Sequence, residues 1–271
     1  MINMRPLINA FFTHKYGGKL LYETSDGFGP LQVVEDQNIR SLHFGSRPKQ
    51  SSLDLLHPNR LYLEYSKHMM TALMFKPNPQ KCMVLGLGGG SISRFLFHHY
   101  PDIDLTSVEL RQKVIDIAHR FFDLPESGSF KIQNNSAEDY VETDFKTKYD
   151  LIFTDIFNQH GMAKTLLSIQ FMEGLKRKLN KNGVLAINLW LRPEKLFDRI
   201  ITIMNTYFSK RIILVPITHR TNCIAIAINS EIPGFSESLM LDTAIQLKKK
   251  MGINFSQLSQ VVAEYNSGFL I

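Results

Sequence analysis

The sequence predicts an α/β protein: a mostly parallel sheet with helices on both faces, preceded by a small antiparallel β-domain. Three observations carry this. From Lys81 onward, short apolar runs alternate with segments of helical period, the pattern of successive βαβ units. A glycine-rich turn, Gly86-Leu87-Gly88-Gly89-Gly90-Ser91, falls between the first of those runs and the first of those helices. Residues 1–56 lack long helical periodicity and show short strand-like runs broken by Gly, Pro, Asp and Asn instead.

Taken in order, Leu20–Thr24, Leu31–Glu35 and Arg40–Phe44 read as short antiparallel strands, which sets a first domain at 1–56. A helix from about Leu61 to Phe75 makes a connecting segment, 57–79, ended by Pro77 and Pro79. The third unit, 80–271, is the ligand-binding domain. Its predicted strands are Cys82–Leu87, Leu105–Glu109, Phe130–Gln133, Asp150–Asp155 and Val184–Leu189. Its clearest helices are Lys113–Phe122 and Leu166–Leu179, each with apolar residues on one face. Two late strands, Arg211–Val215 and Cys223–Ile228, form a hairpin, and one or two helices follow Phe235.

Composition narrows the function classes. The chain has 271 residues, 44% hydrophobic and 21% charged, ordinary for a globular protein with a large core. The formal charge of +6 is scattered, and its one tight run, Lys248–Lys250, reads as a solvated helix face, so no nucleic-acid partner is expected. No apolar run reaches 18 residues and no cleavage site follows the N-terminal stretch, so no membrane association and a cytoplasmic location are expected. Cys82 and Cys223 read as buried free thiols, and no Cys/His pattern has metal spacing, so no metal is expected.

The glycine turn is the strongest functional signal. Glycines after a strand let a backbone approach a ligand closely, and the following helix aims its N–H groups and positive dipole end there. Glu109 ends the next strand, where an acid can accept ribose hydroxyls. A dinucleotide fingerprint would need glycine at position 91, which is Ser91. The form Gly86-x-Gly88-Gly89-Gly90 fits an S-adenosylmethionine-type ligand better than NAD. Asp155, at the end of the fourth predicted strand, is the candidate catalytic acid, with a helix N-cap as its plainer role. Phe157 and Trp190 sit at positions where a ring could wall an acceptor pocket or simply pack.

Val84-Leu85-Gly86-Leu87-Gly88-Gly89-Gly90-Ser91, Ser107-Val108-Glu109-Leu110 and Tyr149–Asp155 together resemble the spermidine synthases, polyamine aminopropyltransferases with a Rossmann-like class I methyltransferase fold. The resemblance spans about residues 20–230. It implies a seven-stranded sheet ending in the late hairpin, a homodimer, and transfer of an aminopropyl group from decarboxylated S-adenosylmethionine to a small amine. It implies cofactor-binding roles for Gly86, Gly88, Gly89, Gly90, Glu109, Leu110, Asn135, Ser136 and Ala137. It assigns catalysis to Asp155 and the substrate pocket to Tyr65, His68, Phe157 and Asn158.

Three departures from the family pattern stand out. The motif D-[SCT]-[ST]-D-P is here Asp155-Ile156-Phe157-Asn158-Gln159, so an amide replaces the second acid. The tyrosine–histidine pair of the preceding helix aligns with Ser66 and Lys67, with Tyr65 and His68 one step outside, which predicts Lys67 near a diamine. The adenine segment G-D-[AG] is Asn135-Ser136-Ala137, so Asn135 or Ser136 is left to bind the adenine amino group. Two alternatives stay open: an S-adenosylmethionine-dependent methyltransferase of unknown acceptor, and a non-catalytic adenosyl-ligand-binding protein. The first two readings differ in whether the turn must hold the donor's carboxylate.

Overall fold

The computed structural model describes residues 14–143, 146–158, 161–208, 212–230 and 237–266. Four strands, β1 (Lys19–Asp26), β2 (Gly29–Asp36), β3 (Ile39–His43) and β4 (Lys49–Asp54), form one antiparallel sheet in sequence order. β4 is a strand the sequence pattern did not reveal. Its residues, KQSSLD, offer one large apolar side chain, yet Ser51, Ser52 and Leu53 are buried.

The main sheet has seven strands. β5 (Lys81–Leu85), β6 (Asp104–Glu109), β7 (Phe130–Asn134), β8 (Tyr149–Thr154) and β11 (Leu179–Trp190) run parallel. β12 (Ile212–Pro216) and β13 (Asn222–Ile228) add the antiparallel hairpin at one edge. The order is β12-β13-β11-β8-β5-β6-β7, and a small ribbon, β9 (Phe157–Asn158) with β10 (Gly161–Met162), stands at the end of β8. Chain order reverses between β5 and β8, so the carboxyl ends of β5, β6 and β8 open the crevice where α/β sheets bind ligands. β11 begins five residues before the predicted run. Leu179 pairs with Tyr149, the polar Asn180–Gly183 segment shifts the register, and pairing resumes at Val184.

Both faces of this sheet are covered. One carries α1 (Glu64–Met69), the 3₁₀ turn Met70–Met74, α2 (Ser91–His99) and the C-terminal helices α7 (Glu237–Met251) and α8 (Phe255–Tyr265). The segment read as a connecting helix is thus core: Met69, Met70, Ala72 and Leu73 are fully buried. The other face carries α4 (Ala137–Glu142), α5 (Ile169–Lys178) and α6 (Glu194–Tyr207). Helix α3 (Gln112–Phe121) lies under the N-terminal sheet, where Val114 and Ile117 pack with Leu31, Val33, Leu42 and Leu53.

Polar contacts tie that small sheet to the large one. Arg111, before α3, donates from Nε and Nη2 to the two carboxylate oxygens of Asp26 at 3.0 and 2.8 Å, and stacks on Phe44. Ser91 Oγ donates to the Ser52 carbonyl at 3.1 Å, binding β4 to the start of α2. Cys82 and Cys223 are buried free thiols. No described helix is long and apolar enough to cross a membrane, and no group of three potential metal ligands occurs among the described residues.

Gly86 has φ +90°, and a Cβ there would lie 2.2 Å from the Asp155 carbonyl oxygen. Gly86→Ala is expected to destabilise the fold by about 2–4 kcal/mol, combining left-handed strain with a backbone clash. Chemical denaturation checks this, and a variant as stable as the parent counts against the close approach.

Candidate functional site

The strand ends open into a cavity of about 1270 Å³. On the β5–β6 side its wall includes Gly86, Leu87, Gly88, Glu109, Leu110 and Arg111, with Ala137 and Glu138 next to them. The N-terminal sheet closes that side with Phe28, Phe44, Gln50 and Ser51. On the β8–β11 side lie Tyr65, Asp155, Ile156, Phe157, Met162 and Trp190, with Lys164, Arg192 and Thr221 further out.

Glu109 is 8% exposed, and protein amides hold its carboxylate. Leu87 N and Gly88 N donate to Oε2 at 3.1 and 3.3 Å, and Arg111 N donates to Oε1 at 3.0 Å. Burial raises its pKa, and these three amides oppose the rise. A carboxylate has about four acceptor positions, so one remains on Oε1 for a ligand hydroxyl. Two more turn amides are committed: Gly86 N donates to the Val108 carbonyl and Gly90 N to the Leu87 carbonyl. Gly90 begins α2 in the left-handed conformation at φ +71°.

Asp155 follows β8, and its own N–H donates to the Leu85 carbonyl at 2.8 Å. Asn188 Nδ2 donates to Asp155 Oδ1 at 2.9 Å, and Asn188 Oδ1 accepts from Asn222 Nδ2 at 2.9 Å. Burial pushes the Asp155 carboxyl up to about 6, although the Asn188 amide and the Tyr65 hydroxyl pull it down. Burial and the neighbouring Asp155 raise the Tyr65 phenol well above its ordinary value, so Tyr65 stays a neutral donor. Its one hydroxyl proton points to the Gln50 carbonyl at 3.2 Å, with Asp155 close enough to compete for it. No side-chain cap bond occupies Asp155, so a helix N-cap is not its role here.

The cavity gathers many of the residues named from sequence, but not all. Gly86, Gly88, Glu109, Leu110, Ala137, Tyr65, Asp155 and Phe157 line it. Gly89 and Gly90 stand behind the wall, close to Phe122 and Leu124. Ser136 Oγ caps α4 by accepting from Asp139 N, and Asn135 Oδ1 accepts from Ser136 N, so both atoms are engaged locally. The acid that reaches the wall there is Glu138. His68 Nδ1 bonds the Glu64 carbonyl and lies off the cavity. Lys67 does not face the site: it pairs with Glu64 at 2.5 Å across one turn. The backbone of Asn158 pairs with Gly161 in the β9–β10 ribbon. Gln50, Ser51, Asn188 and Asn222 were not anticipated. Gln50 and Ser51 lie on the unpredicted β4, and Asn188 is hidden inside the apolar run Leu185–Leu189.

A family model described as the spermine/spermidine synthase domain matches residues 61–233. The polyamine aminopropyltransferase of Chromobacterium violaceum is 32% identical over 238 residues, covering 87% of this chain and 90% of that protein. A probable spermidine synthase from Corynebacterium glutamicum superposes with a TM-score of 0.70 at 16% identity, covering 92% of this chain and 94% of that one. Human methyltransferase-like protein 13, in complex with SAH, superposes with a TM-score of 0.65 at 22% identity over 70% of this chain and 93% of that one. The last two show a methyltransferase-like fold, and the first two findings show more: this chain belongs to the spermine/spermidine synthase family.

Proposed function

We propose that this transferase moves the aminopropyl group of decarboxylated S-adenosylmethionine to a small amine, with Asp155 as the group that takes the amine's proton. One observation favours the decarboxylated donor. The amides of Gly86, Leu87, Gly88 and Gly90 all have protein acceptors, so of the amides from Gly86 to Gly90 just that of Gly89 is left for an α-carboxylate. A methyltransferase reading requires such donors.

In this reading Glu109 Oε1 accepts a ribose hydroxyl, while Phe28, Leu110 and Ala137 bound the space for the base. The amine enters from the β8–β11 side as an ammonium ion. Asp155 accepts its proton, and the neutral nitrogen attacks the propyl carbon next to sulfur. The C–N bond forms, the C–S bond breaks, and its electron pair returns to sulfur, leaving a neutral thioether. Asn188 holds the Asp155 carboxylate from one side, and the Tyr65 hydroxyl lies beside it. An acid titrating near 6 is ionised at neutral pH yet basic enough to hold a proton, which suits a general base.

Glu109→Ala is expected to weaken decarboxylated S-adenosylmethionine binding by roughly 1–3 kcal/mol, about 5- to 150-fold, measured by titration calorimetry. S-adenosylmethionine is expected to bind more weakly than its decarboxylated form. Tighter binding of S-adenosylmethionine, or of NAD, would defeat the donor assignment.

Asp155→Asn should cut turnover by about two to four orders of magnitude with the fold intact, the usual worth of a positioned base. The same residue sets the pH dependence. Activity of the parent rises as pH climbs through about 6, because only ionised Asp155 accepts a proton. Asn188→Leu removes the amide that stabilises the carboxylate, so the acidic limb moves to higher pH. A limb that stays in place would show that Asn188 is only structural.

A further inference from the structure

The two halves of the cavity differ in charge. Glu109 and Glu138 lie at the β6 side. The β11 end, where Trp190 stands, is separated from β6 by β8 and β5. Three inter-strand steps put these regions about 14 Å apart. On the β8–β11 side Asp155 is the only carboxylate on the wall among the described residues. The sequence holds no further acid until Glu173 along the segment after Asp155, and none in residues 216–222 between β12 and β13. Glu194 is nearby in sequence, but it is exposed and paired with Arg192.

What this side offers instead is apolar. Phe157 and Trp190 have ring centroids 5.2 Å apart, tilted at 45°. Ile156, Met162 and Leu196 continue the same wall. At its outer edge are Lys164 and Arg192, the second of them paired with Glu194. Lys164 is exposed and has no ion-pair partner among the described residues.

We infer that the acceptor is a monoamine with an apolar, ring-sized or branched body and no second cationic centre. This rests on the aminopropyl-transfer reading above. Asp155 can neutralise one ammonium, the one that reacts. A diamine would carry its second ammonium onto the Phe157–Trp190 wall or out to Lys164 and the neutralised Arg192–Glu194 pair. An aromatic face does attract a cation, by cation–π contact. The Lys164 charge at the same rim opposes it, and the one acid there, Glu194, is already paired with Arg192, so no free carboxylate compensates the lost hydration. An apolar amine body meets neither penalty and removes its own surface from water against Trp190, Phe157 and Met162.

The test measures thioether release from decarboxylated S-adenosylmethionine with phenethylamine, isoamylamine, putrescine and cadaverine. The expected result is a kcat/KM for phenethylamine or isoamylamine at least about tenfold above that for either diamine. Lys164→Glu, a change at an exposed position, should narrow that ratio by raising kcat/KM for the diamines. Putrescine or cadaverine turning over as fast as the monoamines overturns this inference and leaves aminopropyl transfer standing. A ratio unmoved by Lys164→Glu also counts against it, since the rim charge is then not what selects. No thioether with any of the four amines, while calorimetry still shows donor binding, overturns the transfer reading and this inference with it.

Discussion

The Glu109 carboxylate is the point on which the rest of the site depends. Two of its bonds come from the glycine turn and one from Arg111, so a single buried group fixes the turn, the end of β6 and the start of α3. Arg111 then carries the constraint outward through its paired bonds to Asp26, at the end of β1. The N-terminal sheet is therefore placed by the same element that shapes the turn. Its own core is completed by Val114 and Ile117 of α3, which leaves it little independence in packing. The charge cost of burying Glu109 is offset by amide donors rather than by an ion pair in direct contact, which keeps an acceptor position open for a ligand.

A second constraint couples the turn to Asp155. The Leu85 carbonyl receives the Asp155 N–H, and Gly86 lies against the Asp155 carbonyl with no room for a Cβ. The glycine that starts the donor loop thus also sets the position of the acid across the crevice. Two short, direct backbone contacts span the switch between β5 and β8. Asn188 and Asn222 support Asp155 from behind, on the two strands that follow in the sheet.

The fold and the site differ in how far the sequence discloses them. The alternation from Lys81 onward is carried by dense apolar runs such as Met83–Leu85 and Ile152–Phe153, so strand identity survives small errors in boundary. The glycines are legible because each answers a backbone demand that no other residue meets cheaply. β4 is not legible, because Ser51 and Ser52 are buried by docking onto α2 rather than by hydrophobicity. Asn188 is not legible either: an amide in an apolar strand signals an exception, but not which carboxylate it serves. Lys67 was misplaced by helix phase. One residue of offset on α1 is about 100° of rotation, enough to exchange the Tyr65 face for the exposed Glu64–Lys67 face.

Those differences share a cause. The β5–β6 half is made by backbone: strand ends, a turn and hydrogen-bonded amides, all of which leave a spacing pattern in the chain. The β8–β11 half is made by side chains from four separate elements, α1, β8, β11 and the β9–β10 ribbon, and spacing carries no record of how those meet. A family resemblance transfers reliably to the first kind of surface and poorly to the second. Here it names Asp155, while the side chains next to Asp155 are the neutral Tyr65 and Asn188 and the wall beyond them is apolar. In the proposed reaction, proton removal depends on Asp155 and the choice of amine on the wall around it, so the two can vary separately.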